Sequence, residues 1–238
     1  MPIAFDNSGK ADADAVSSLE SPAWLISGSN RHLVVGVGVI EITTPPDPSS
    51  VKRNGSGGTN LTQNGSSILF DSSQYRGSIW ELVAPAAANE TIYVALAETC
   101  YRVFIIGCSF TGVNQITPTR TRTTNNATNE ADPGPATVTC ANTALNDLVV
   151  DFLACGQSGG TATNVAVGAG QTERAVVESP DLDILAGGMS TEPATGSSVT
   201  MTWDVTATLG VHHYALFGLP LIPTDVTPLR VVSSPLRW

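Results

Sequence analysis

Apolar residues along the chain come in short runs separated by turns rich in Gly, Asn, Pro and Ser. The densest run is Tyr101-Arg-Val-Phe-Ile-Ile-Gly-Cys-Ser-Phe110. At a period of two, Phe104, Ile106, Cys108 and Phe110 share one face, and Val103, Ile105 and Gly107 share the other. Both faces are apolar at the centre, so the segment is expected to be covered on both sides. Its length, its β-branched content and the Thr111-Gly112 that bounds it favour a strand over a helix. Residues 33–40 and 148–154 have the same character, so the chain reads as central strands of packed sheets.

The remaining pattern is also that of strands and turns. Residues 3–5 predict a short strand ending in an Asp6-Asn-Ser-Gly9 turn. Residues 78–83 and 91–96 predict, with 101–110, an antiparallel meander. Asn54-Gly55 and Asn64-Gly65 are hairpin-turn signals. Residues 117–135 are polar and aperiodic, which predicts a loop of about 15 residues carrying Arg120 and Arg122. Further strands are expected over 136–140, 147–154, 171–178, 181–186 and 211–219. In residues 199–205, Val199, Met201, Trp203 and Val205 fall on one face. No segment has a convincing helical period. The expected fold is all-β, an antiparallel β-sandwich, jelly-roll-like, over residues 1–219. An echo between Arg31-His-Leu-Val-Val35 and Asn146-Asp-Leu-Val-Val150 allows two similar halves, with a boundary near 117–135, or shared strand composition alone.

Residues 220–238 contain four prolines and predict an extended C-terminal arm. Leu221, Ile222, Leu229, Val231, Val232, Leu236 and Trp238 make it apolar. It is expected either to pack back on its own domain or to dock on a neighbour, with Leu221, Ile222, Leu229, Val231, Leu236 and Trp238 as the contacts.

Composition narrows the function. The 238 residues are 42% hydrophobic and only 13% charged, with 21 acids against 11 bases and a net charge of −10. A nucleic acid or an anionic membrane requires a basic surface, so both are disfavoured. No run is long enough to span a membrane as a helix. The Met-Pro-Ile-Ala-Phe-Asp start has neither a basic stretch nor an apolar core, so no cleaved export signal is expected. Without export, the Asn-x-Ser/Thr triplets at Asn54, Asn60, Asn64, Asn89 and Asn126 read as loop composition. Cys100, Cys108, Cys140 and Cys155 form no C-x-x-C pair. They are read as buried thiols, with disulfides the alternative.

Candidate chemistry is thin. Gly156-Gln-Ser-Gly-Gly160 fits the G-x-S-x-G elbow, but no helix is predicted after Ser158. His212 and His213 lie in one strand and point to opposite faces, which disfavours a shared metal. Asp181 and Asp183 share a strand face at a spacing open to a glycosidase pair or a calcium site, and equally to a solvated edge. Arg120 and Arg122 are candidates for an acidic partner. Trp24, Tyr75 and Trp203 are candidate sugar-stacking platforms. No cofactor, metal or catalytic set is expected, and no enzyme.

Four blocks together resemble a β-sandwich domain of phage-encoded and metagenomic virion proteins. They are Ala4-Phe-Asp-Asn7, Gly28-Ser-Asn-Arg-His-Leu-Val-Val-Gly-Val37, Ile79-Trp-Glu-Leu-Val-Ala-Pro85 and Phe110-Thr-Gly-Val-Asn-Gln115. Residues 51–62 depart from the family pattern by a Gly-rich insertion. The resemblance implies a β-sandwich virion component such as a capsid decoration or cement protein or a tail-associated adhesin. Taken with the absent export signal, the missing catalytic set and the apolar arm, the expectation is a decoration or cement protein, homo-oligomeric with a trimer favoured, and partnered by a major capsid or other virion protein. Its implied location is the virion. A tail-associated adhesin or carbohydrate-binding module is the alternative. The family supplies no catalytic residues.

Overall fold

The computed structural model describes residues 1–41, 43–71, 74–131, 134–156, 164–178, 185–206 and 211–224. They form strands β1 (Ala4–Glu20), β2 (Trp24–Ile26), β3 (His32–Ile40), β4 (Pro48–Arg53), β5 (Thr59–Asn60) and β6 (Thr62–Gln63). Next come β7 (Ile68–Phe70), β8 (Tyr75–Val83), β9 (Ala88–Glu90), β10 (Ile92–Thr111), β11 (Thr123–Ala131) and β12 (Gly134–Cys140). The series ends with β13 (Leu148–Gly156), β14 (Asn164–Val167), β15 (Thr172–Val177), β16 (Leu185–Pro193), β17 (Val199–Thr206) and β18 (Val211–Leu221). The all-β antiparallel sandwich expected from the sequence is what forms.

The first half of the chain builds one large sheet, β5-β4-β10-β3-β8-β6, with β1 on the far side of β10 and β7 on β8. The second half builds β11-β18-β13-β16-β15 and a smaller sheet, β12-β17-β14. The two larger sheets face each other across a core that includes Val34, Phe104, Ile106, Phe110, Phe152, Phe217 and Leu219. Their outer faces are covered too. Trp203, Met201 and Val205 of the small sheet pack on Leu153, Cys155 and Leu216. Trp24, Val51, Ile92 and Val94 pack on Val35, Val37, Val103 and Ile105. An added Cβ on Gly107 would sit 3.6 Å from Ile92 Cγ1, although both belong to β10. Fifteen residues of straight strand would separate them by about 50 Å. The strand therefore coils back over its own sheet, and the body has four β layers. This is why β3 and β13 are buried at every position, on both faces.

Aromatic rings set the spacing between layers by resting on glycines. A Cβ on Gly36 would fall 2.1 Å from Phe152, one on Gly187 2.3 Å from Phe104, and one on Gly188 2.3 Å from Trp203. Gly9 meets Trp24 in the same way at 2.0 Å. Glycine in a central strand normally weakens it. Here each missing side chain is the seat of a ring from the facing layer.

Four expectations need correction. The segment after Phe5 does not turn: β1 runs on to Glu20, bulged between Phe5 and Asn7 and again between Val16 and Ser18. The meander does not form, because β3 lies between β8 and β10 and pairs with both. Residues 123–131 of the expected polar loop are strand β11, paired with β18. The arm does not start at Pro220. Pro220 and Leu221 close β18 opposite Val149 and Leu148, and Leu221 is fully buried in the central core. Leu221 is therefore an internal packing residue and not a partner contact.

Candidate functional site

The surface that brings together two of the sequence candidates, Arg120 and Ile222, is the end of the sandwich where β18 finishes. The chain leaves β18 through Ile222 and Pro223, and Val113 pairs with Pro223. Thr224 N donates to Gly112 O at 2.8 Å, and the Met1 ammonium donates to Thr224 O at 3.1 Å. Beside this exit lies a cleft of about 460 Å³ lined by Thr117, Thr119, Arg120, Thr121, Asn142 and Ile222. The loops that flank it carry Ile116, 92% exposed, and Leu145, 67% exposed. Isolated apolar side chains are common on surfaces. Ile116 and Leu145 are two exposed large aliphatics on the loops flanking one cleft, which has Ile222 in its lining.

The two arginines are built into the fold. Arg120 donates through Nε to Asp147 Oδ2 and through Nη2 to Asp147 Oδ1 at 3.2 Å, and the Asp147 side chain is 1% exposed. The hydrogen bond to Asp147 holds the Arg120 pKa above its ordinary value. Arg122 donates to Asn64 O and, at 3.0 Å, to Ser66 O, and its guanidinium lies 5.2 Å from the centre of the Phe217 ring. It thus ties the β6–β7 loop of one large sheet to the edge of the other. Arg120 still lines the cleft, whereas Arg122 is spent on closing the sandwich.

Other candidates are placed as follows. His212 and His213 point to opposite faces, as alternation requires: His213 sits 3.2 Å from Asp71, and His212 stacks on Tyr214. Trp24, Tyr75 and Trp203 are only 7%, 1% and 0% exposed. None offers a face to a sugar, so the adhesin reading loses the residues that motivated it. All four cysteines are buried thiols. Ser158, Asp181, Asp183, Leu229, Val231, Leu236 and Trp238 lie outside the described residues.

The sequence reading missed Asp151. It is fully buried on β13 and faces the small outer sheet. Its Oδ1 accepts from Ser190 N at 2.7 Å. Its Oδ2 accepts from Trp203 Nε1 at 2.7 Å and from Gln171 Nε2 at 3.1 Å. Gln171 Oε1 in turn accepts from Thr202 N at 2.6 Å. Burial pushes the Asp151 carboxyl up to about 7, against these hydrogen bonds, which favour the anion. The signal was visible as a lone acid inside Leu148-Val-Val-Asp-Phe-Leu-Ala154. The group pins strands from two layers together and does not open to a cleft.

No protein-family model matches the chain, and no curated protein matches it. Among solved structures it aligns with one described as "Crystal Structure of the STIV MCP", a viral major capsid protein. That alignment has 9% identity and a TM-score of 0.29, over 97% of this chain and 99% of the other. A superposition this loose does not establish a shared fold.

Proposed function

We propose that the protein is a structural component of a virion. It acts by shape and contact, as a decoration or cement subunit that binds a major capsid protein as a homo-oligomer, with a trimer favoured. The observation that carries this reading is the end surface. The chain leaves β18 through Ile222, beside the loop that carries the exposed Ile116, and Leu229, Val231, Leu236 and Trp238 follow in sequence. Extended arms and apolar contacts around a symmetry axis are how a subunit clamps a shell. The four blocks that resemble phage-encoded virion β-sandwiches support the location. The ring-on-glycine spacing of four layers supports a rigid body for such a role.

The experiment is quantitative mass spectrometry of density-banded particles from the source virus, with immunogold labelling of intact particles. The expected result is tens to hundreds of copies per particle, accessible on the outside. Particles that carry no copies overturn the reading.

A further inference from the structure

We propose that the outer edge of β1 is a slot for an added strand, and that its occupant is the 225–238 segment of a neighbouring copy. The proposal rests on the reading that this protein is an assembling subunit, and names the surface that receives the arm.

β1 is 17 residues long and pairs with β10 along one edge. Among the described residues no strand pairs with its other edge. A long unpaired edge is a template for another chain unless it is blocked. Here it is walled, not blocked. Ser8, Gly9 and Lys10 form the floor of a cleft of about 460 Å³. Pro22, Ala23 and Trp24 form one wall, and residues 173–176 of β15 form the other. Ser8 Oγ donates to Arg174 O at 3.1 Å and Lys10 Nζ donates to Val176 O. Arg174 stacks 4.5 Å over Phe5. These contacts fix the second wall relative to the floor, so the slot is preformed. Trp24, in the first wall, has an indole Nε1 with no hydrogen-bond partner.

Charge and direction select the occupant. Residues 225–238 carry Arg230 and Arg237 against Asp225, a net +1. That leaves −11 for residues 1–224 within the chain's total of −10. β1 itself carries Asp6, Asp12, Asp14 and Glu20 against Lys10, a net −3. Asp12 and Asp14 are paired with Arg102 at 2.6 and 3.4 Å, and the slot lining carries Lys10 and Arg174 against Glu173, so the attraction of a basic segment comes from the overall charge of residues 1–224 and not from the slot itself. Between Pro228 and Pro235, the six residues Leu229-Arg-Val-Val-Ser-Ser234 all retain the N–H that strand addition needs. Thr224 lies at the Gly112 and Met1 end, where β1 begins. A segment running straight from there along its own β1 pairs in parallel. The described strand pairs, β1·β10 and β13·β18 among them, are antiparallel. An antiparallel arm enters from the other end of β1, and so comes from a neighbour.

The test uses the full chain, with two variants that each add one cysteine, Ala23→Cys in the slot wall and Ser233→Cys in the arm, and the double variant that carries both. The four native thiols are buried. Mixed in equal amounts with a short bis-maleimide, the two variants should give a product of twice the chain mass. Each variant alone should give at most a small fraction of it. Adding Arg230→Glu and Val231→Pro to the Ser233→Cys chain should cut the product at least fivefold. A double variant that cross-links only within one chain overturns the proposal, as does a mixture that gives no product. If either occurs while the protein is abundant on particles, the slot is refuted and the virion reading stands.

Discussion

Placing alanine at Gly36 is the sharpest perturbation of the layer packing. Its Cβ would lie 2.1 Å from Phe152 Cδ2, 2.3 Å from Cε2 and 2.5 Å from Cγ. Carbon atoms in contact sit about 3.5–4.0 Å apart, so the ring must move by more than an ångström. It has little room to move. Phe152 is fully buried between Phe104 and Phe217, each with its ring centre 5.8 Å away. Overpacking of this kind costs about 1–3 kcal/mol. A loss of about 2 kcal/mol lowers the urea midpoint by roughly 0.7–1 M at an m-value of about 2–3 kcal/mol/M. Equilibrium urea unfolding followed by tryptophan fluorescence reads this directly. In a Phe152→Leu background the clash is relieved, so the same Gly36→Ala change should cost less than half as much. That coupling falls within the roughly 0.5–3 kcal/mol seen for residues in contact. Gly57→Ala, where an added Cβ meets nothing within 4 Å, serves as the control and should be neutral within about 0.5 kcal/mol. An unchanged midpoint for Gly36→Ala, or an equal loss in both Phe152 backgrounds, refutes the ring-on-glycine account.

Other consequences follow from the buried polar groups. Asp151 titrates at about 7 in the fold, against about 3.9 in an unfolded chain. Its contribution to stability is fully present below about pH 4 and is lost as pH rises through about 7. Burial holds His213 below its usual value, with Asp71 opposing, and this group loses stability as the pH falls. Asp151→Asn should therefore flatten the decline of the melting temperature between about pH 4 and 7 and leave the slope below about pH 4 unchanged. A parent-like profile counts against the assignment. Arg122→Met removes two bonds to backbone carbonyls and the contact with Phe217. It should cost about 1–3 kcal/mol and speed amide exchange in β6 to β8, whereas exchange at parental rates would show that the bridge is dispensable. Burial pushes the Cys100 and Cys140 thiols up to about 11 and raises Cys108 and Cys155 further. All four should resist a thiol reagent at pH 8 until the chain unfolds, and rapid labelling of the native protein would contradict that.

The central layers were legible because both faces of residues 33–40, 103–110 and 148–154 are apolar, which only double coverage permits. The alternation in β17 and the opposed histidines were readable for the same reason. β1 was not, because Ala, Asp, Ser and Gly have poor strand propensity, and its pairing comes from the 20-residue partner β10. The position of β3 between β8 and β10 was hidden by the assumption that consecutive strands pair. Arg120 and Arg122 looked free because their acceptors, Asp147 and the carbonyls of Asn64 and Ser66, lie 27, 58 and 56 residues away in sequence. Leu221 looked like part of an arm because proline marks Pro220 as a break. A proline can nevertheless occupy a strand where its missing N–H is not needed.

Sedimentation equilibrium on the full chain and on a chain ending at Thr224 tests most directly whether this is an assembling subunit. The described core lies at or before Leu221, so both chains should melt alike. The account predicts an oligomer of defined size for the first and a monomer for the second. A full chain that stays monomeric across the micromolar range, or a shortened chain of unchanged oligomeric mass, contradicts it.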